Sequence, residues 1–252
     1  MLAERSKTTD QAQQASERSQ SLVYLNFKRS ISYGKVYLIL GIAISILMTA
    51  VLANTIHAIR ASGTASLLAG EVPALILPVA AVLGSMGALM IFTSDKAKGV
   101  YEYLIAYGVS VSEIFWSIVI SAVGLVTIVL AISVSSVIAI LICSGAGVSY
   151  IFFELLIYYV IPISYTSSMF MSMAGMIWSS LATRRAGLNS PVGAAPILGM
   201  LPMLLVLFLS RAGAGNFILV VGSVSLALVV LVGAMIGISN GKMQRERFLS
   251  NA

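Results

Sequence analysis

Residues 114–142 read IFWSIVISAVGLVTIVLAISVSSVIAILI, an apolar run without one charged side chain. A helix needs about 20 apolar residues to cross the hydrocarbon core of a bilayer. The whole chain has the same character, because 59% of its residues are hydrophobic and only 10% are charged. Soluble domains carry roughly 25% charged residues. The sequence therefore predicts an integral membrane protein.

Similar apolar runs recur along the chain and predict six transmembrane helices. We place these spans at about 36–56, 72–93, 114–142, 150–180, 192–209 and 217–239. An all-α fold follows, because an unpaired backbone group in lipid costs several kcal/mol and a helix satisfies its own. The fourth run is longer than a bilayer requires, and Pro162 is where we expect it to bend.

The segments that flank the spans are more polar. Residues 22–35 mix apolar side chains with Lys28 and Arg29, which is typical of an amphipathic helix at the headgroup level, here called the elbow helix. The predicted domain boundaries are 1–21 for a polar tail, 22–35 for the elbow helix, 36–242 for the transmembrane domain and 243–252 for a second tail.

The basic residues indicate the orientation of the chain. Thirteen of the fifteen Lys and Arg residues fall in the connections on one side of the predicted spans, and only Arg60 and Arg211 fall on the other. Cytoplasmic loops carry such an excess, so both termini are expected in the cytoplasm of a multi-pass protein of the cell membrane. The same bias explains the net charge of +6, and a nucleic-acid partner is not expected.

The sequence contains no pattern of a catalytic or metal site. Cys143 and His57 are the only cysteine and histidine, which excludes a multi-cysteine metal site or a histidine cluster. No G-x-x-x-x-G-K-[ST] motif occurs, because Val36 follows Gly34-Lys35 and Met243 follows Gly241-Lys242. The chain is therefore not expected to act as an enzyme, to bind a metal or to hydrolyse ATP by itself.

The connection between the second and third spans, 94–114, reads SDKAKGVYEYLIAYGVSVSEI. Ser94 and Asp95 suit the start of a short helix that ends at Gly108. Its predicted apolar face consists of Val100, Tyr103, Leu104 and Tyr107, and its polar face of Asp95, Lys98 and Glu102. Lys98 and Glu102 have the spacing of an ion pair. The pair Ser110 and Glu113 predicts a capping box at the start of the third span.

This connection resembles the cytoplasmic motif of ABC transporter permeases of the type-2 exporter family, roughly E-K-x-x-G-T-x-E-x-L-L-x-x-P-[VI]-S-x-x-E-[IL]. The matching positions are Asp95, Lys96, Gly99, Glu102, Leu104, Val109, Ser110, Glu113 and Ile114. The chain departs from the motif at Val100, where the family has Thr, and at Gly108, where it has Pro. The six spans and the elbow helix agree with the family more coarsely.

The resemblance implies a mechanical role. In such permeases this connection is a coupling helix that docks on a separate ATPase subunit, and two permeases work with two ATPases that bind ATP and Mg²⁺. The second permease is a second copy or a similar chain, and lipids surround both. The residues implied in coupling are Asp95, Lys98, Gly99, Val100, Glu102, Tyr103, Leu104, Tyr107, Gly108, Ser110 and Glu113.

Helix-breaking residues mark a candidate translocation path. Broken helices often line a transport path, because their freed carbonyl groups must face protein or water. The resemblance also implies that the first, second and fifth spans line the cavity between two permeases. The candidate residues are Pro78, Gly84, Pro191, Pro196 and Pro202. Kinks that only aid packing are the alternative.

Two other functions stay open from the sequence. The chain could be a non-transporting scaffold or sensor that works with an ATPase, or it could be a secondary carrier. A carrier usually shows internal repeats and buried charges, and neither is evident here. The sequence does not identify the transported substrate.

Overall fold

The computed structural model describes residues 2–59, 65–145, 148, 150–181, 197, 199–201, 204–205, 208 and 217–242. Within these residues every regular element is helical, which confirms the all-α prediction for this part of the chain. The helices are α1 (Leu2–Ile59), α2 (Ala65–Ala97), α3 (Val100–Ala106), α4 (Val111–Cys143), α5 (Tyr150–Leu155), α6 (Ile161–Leu181) and α7 (Phe217–Lys242).

Four helical stretches are long and apolar enough to cross a membrane, as expected for a multi-pass protein. They are Gln20–Asn54, Leu75–Ala97, Val111–Cys143 and Phe152–Ile177, and they coincide with the first four predicted spans. The sixth predicted span coincides with α7, whose described apolar stretch is shorter. Most of the fifth predicted span lies outside the described residues. The count of six and the cytoplasmic termini therefore stay predictions.

Helix α1 differs from the predicted start of the chain. It runs without a break from Leu2 to Ile59, so the predicted tail and elbow helix are continuous with the first span. The reason lies in the segment 22–35, where Asn26, Ser30 and Gly34 are buried. The Asn26 side chain contacts Ser117 on α4, and the Gly34 backbone packs against Gly87 on α2. A separate elbow helix lying at the headgroup level is not seen.

Helices α1 and α2 approach each other closely through glycines. A Cβ atom on Gly34 would lie 2.5 Å from Cα of Gly87, and one on Gly41 would lie 2.6 Å from the carbonyl oxygen of Ala80. Small residues let helix backbones pack this closely, and in lipid such van der Waals contact drives helix association. The α1–α2 crossing therefore depends on the absence of side chains at these positions.

Buried hydrogen bonds join α1 to α4. The Asn26 side-chain amide donates to the Ser117 hydroxyl at 2.7 Å, and the Ser45 hydroxyl donates to that of Ser133 at 2.9 Å. In an apolar surrounding each of these polar groups would cost free energy without its partner. The two bonds therefore fix the register of α1 along α4.

A π-helical turn lies just before Pro162, where the sequence predicts a bend. This turn, Leu156–Val160, lies between α5 and α6 and ends two residues before Pro162. Proline lacks the N–H that would donate to the carbonyl of Tyr158 in a continuous α-helix. A widened turn accommodates this loss, and such π-bulges are a known cause of kinks.

Candidate functional site

The connection between α2 and α4 contains a helix shorter than predicted. Helix α2 continues to Ala97, a turn at Lys98 and Gly99 follows, and α3 spans Val100–Ala106. The prediction of one helix over 95–107 that starts at Ser94 is therefore wrong. Gly99 has a φ of 69°, in the left-handed region that glycine adopts most readily. This turn separates α3 from α2.

The end of α3 follows the prediction. The Gly108 N–H donates to the Ile105 carbonyl and the Val109 N–H to the Leu104 carbonyl, both at 3.0 Å. These two bonds, with a φ of 85° at Gly108, form a Schellman motif. Glycine at this position therefore ends the helix sharply, although the resembling motif has proline there.

The predicted capping box at the start of α4 is confirmed. The Glu113 N–H donates to the Ser110 hydroxyl at 3.1 Å, and the Ser110 N–H donates to the Glu113 carboxylate at 2.8 Å. The two side chains thus satisfy backbone donors at the helix start. Helix α3 is therefore held to α4 by a short connection with its own local bonds.

Helix α3 buries a face other than the predicted one. Tyr101 and Ile105 are buried, and the Tyr101 ring lies 5.3 Å from that of Phe92 on α2. Tyr103 and Tyr107, assigned to the apolar packing face, are 69% and 81% exposed. Both faces carry aromatic and aliphatic side chains, so their spacing alone does not show which face meets the protein.

The remaining predicted face residues are divided between the core and the surface. Leu104 is partly buried and packs against the buried cluster that contains Tyr101 and Ile105, while Val100 is partly exposed.

Burial, with a smaller contribution from the charge of Asp95, raises the pKa of the Tyr101 hydroxyl well above its ordinary value. Tyr101 is therefore neutral at physiological pH. The structure leaves Tyr103 and Tyr107 as the accessible aromatic surface of α3.

Asp95 occupies a different environment from the one predicted. It lies near the end of α2, almost completely buried, and its carboxylate accepts two hydrogen bonds from the Arg29 guanidinium at 2.7 and 2.5 Å. A carboxylate at a helix C-terminus meets an unfavourable dipole, and the bidentate guanidinium compensates for it. Arg29, predicted to lie in an elbow helix at the headgroup level, thus links α1 to the end of α2.

The predicted Lys98–Glu102 ion pair is not formed between these two described residues, whereas Arg29 and Asp95 do form an ion pair. The Glu102 carboxylate lies beside Gly99, where an added Cβ atom would be 2.8 Å from its Oε2 atom. The Lys98 ammonium instead lies 5.9 Å from the centre of the Tyr33 ring. The cause is the turn at Gly99, which removes Lys98 from the helix that contains Glu102.

The candidate path residues are only partly described. Pro78 and Gly84 are buried, and the space beside Gly84 is filled by the side chain of Val129 on α4. In this arrangement both positions serve helix packing. Pro191, Pro196 and Pro202 lie outside the described residues. The translocation path therefore stays a prediction.

Replacing Gly108 with alanine tests the sharp end of α3. We expect the free energy of unfolding to fall by about 1–2 kcal/mol, because an L-residue in the left-handed region is strained. Gly222→Ala is the matched control, since a Cβ atom at either position meets nothing within 4 Å and only Gly108 has a positive φ. The free energy of unfolding of both variants is measured by SDS-induced unfolding in mixed micelles. If both variants are equally stable, the left-handed backbone conformation of Gly108 at the end of α3 is wrong.

Comparison of this chain with protein-family models, with curated proteins and with solved structures gave no match.

Proposed function

We propose that this chain is the membrane subunit of an ATP-driven exporter of the type-2 ABC class. The observation that carries the proposal is the short helix α3, fixed between two apolar helices while Tyr103 and Tyr107 remain exposed. A helix that transmits force needs rigid ends and an accessible docking surface. Helix α3 has both.

Rigid attachment supports the proposal, because motion of α3 must reach the spans. Tyr101 and Ile105 belong to the same buried cluster as residues of α2 and α4. The capping box fixes the start of α4, and Arg29 attaches α1 to the end of α2 through Asp95. A push on α3 would therefore displace the ends of three helices together, as in a shear of packed helices.

The working unit that we propose contains two copies of this chain, or one copy and a similar permease, with two ATPase subunits. ATP and Mg²⁺ bind to the ATPases, because this chain has no P-loop motif. The ATPases approach from the cytoplasmic side of the cell membrane, and their closure moves α3. The substrate crosses between the two permeases.

A substitution on the exposed face of α3 tests the docking surface. We expect Tyr103→Ala to weaken binding of the partner ATPase about tenfold or more, because exposed tyrosines often dominate interface energies when they become buried. Glu102→Ala should act in the same direction. The measurement uses the purified chain in nanodiscs with the P-loop ATPase from a neighbouring reading frame, and records affinity and stimulated ATP hydrolysis.

The matched control is Tyr150→Ala, because Tyr150 is 81% exposed and lies at the opposite end of α4 from α3. The control should bind the ATPase as the wild type does. If Tyr103→Ala and Glu102→Ala also bind and stimulate the ATPase normally, α3 is not the coupling helix. If coupling is intact but ATP drives no flux into proteoliposomes for any candidate substrate, the chain is a scaffold or sensor.

A further inference from the structure

Two cations flank one tyrosine ring at the end of the bundle that carries α3. The Arg29 guanidinium carbon and the Lys98 ammonium each lie 5.9 Å from the centre of the Tyr33 ring, which is within cation–π range. Tyr33 is 50% exposed and Lys98 is also exposed. The cluster formed by Arg29, Tyr33 and Lys98 is therefore accessible from outside the protein.

The charges of this cluster are not balanced. Asp95 is engaged by Arg29, and Glu113 is engaged by the backbone N–H of Ser110. Among the described residues, no carboxylate lies within 4 Å of Lys98. The ammonium of Lys98 therefore presents a positive charge beside the half-exposed Tyr33 side chain, and an ammonium with a phenol is a donor pair suited to an anionic oxygen ligand.

The position of the cluster indicates the kind of anion. Lys98 directly follows Ala97, the last residue of the apolar stretch Leu75–Ala97. The ends of membrane-spanning helices lie at the level of the lipid headgroups, where tyrosine and lysine are enriched. A lipid phosphate is thus the anion present at the highest local concentration at this depth.

Helix α1 also offers a surface for an acyl chain below the cluster. Val36, Leu40 and Leu47 follow Tyr33 at helical spacing and are 64%, 46% and 63% exposed. They lie on the same face of α1 as Tyr33, since their offsets of three, seven and fourteen residues are near whole turns. An amphiphile with a charged head and an apolar tail fits this face better than a free phosphate ion.

We propose that Lys98 and Tyr33 bind the phosphate of an anionic phospholipid whose acyl chain lies along α1. The Lys98 ammonium neutralises the phosphate, and the Tyr33 hydroxyl donates a hydrogen bond to it. Arg29 remains with Asp95 and holds the ring in place. This site does not depend on the proposed transport function, because it needs no ATPase.

The test compares lipid binding to the purified full chain in detergent micelles. Phosphatidylglycerol and phosphatidylcholine with the same acyl chains are titrated, and retained lipid is counted by native mass spectrometry. The wild type should retain phosphatidylglycerol in preference to phosphatidylcholine. Lys98→Gln should weaken this binding about fivefold, the effect expected of one lysine near an anionic lipid surface. Tyr33→Leu should weaken it as well.

Lys28→Gln is the matched control, because Lys28 is an exposed cation on α1 and is not part of the cluster. It should change binding less than twofold. Equal losses in Lys98→Gln and Lys28→Gln would overturn the site in favour of diffuse attraction. If millimolar inorganic phosphate displaces phosphatidylglycerol, the ligand is a free phosphate ion and the proposal of a lipid is wrong. Circular dichroism in the same detergent micelles verifies that each variant is folded.

Discussion

Replacing Arg29 with methionine should lower the free energy of unfolding by about 3–5 kcal/mol. Removal of one partner leaves the Asp95 carboxylate charged and uncompensated, and it is almost completely buried. The cost is high here because the carboxylate also lies near the C-terminal end of α2, where the helix dipole disfavours a negative charge. SDS-induced unfolding in mixed micelles, followed by circular dichroism, measures the change.

Two further variants separate the ion pair from general effects of charge and shape. Lys28→Met removes an adjacent exposed cation and should change stability by less than about 1 kcal/mol. Asp95→Asn combined with Arg29→Met removes both charges and should recover most of the loss. If the double variant is as unstable as Arg29→Met, the buried charge is not the cause and the assignment of the ion pair is wrong.

Replacing Gly87 with leucine should destabilise the protein by about 3 kcal/mol, at the upper end of overpacking effects. A Cβ atom at Gly87 would lie 2.6 Å from the Ser30 carbonyl oxygen and 2.8 Å from Cα of Gly34. Both contacts are with backbone atoms, so no side chain can move aside. The helices α1 and α2 must separate, which also breaks the packing around them.

Gly233→Leu is the control for this substitution. Gly233 lies in α7, where an added Cβ atom meets nothing within 4 Å. The control should therefore retain or slightly increase stability, because leucine favours helix more than glycine does. Unfolding midpoints of the two variants in one detergent give the comparison. A stable Gly87→Leu variant would show that α1 and α2 do not cross at Gly34 and Gly87.

Local features of the candidate site were readable from the sequence. Ser110 and Glu113 form the expected capping box and Gly108 ends α3, because each motif depends on residues a few positions apart. The start of α3 was predicted wrongly, since Ser94 and Asp95 are equally compatible with the last turn of an apolar helix. The residues next to Asp95 do not show whether its carboxylate lies in the first turn of one helix or in the last turn of another. That is decided by Arg29, which is far away in the sequence.

The sequence by itself determined the membrane class and the positions of the first four apolar helices. Hydropathy over about 20 residues suffices for this, because lipid imposes the same requirement on every spanning helix. The tertiary structure alone decided that α1 is continuous, that Tyr101 rather than Tyr103 is buried, and that Arg29 pairs with Asp95. These outcomes depend on contacts between residues far apart in the chain, such as Gly34 with Gly87. Periodicity describes one helix at a time and holds no information about which neighbour its face will meet.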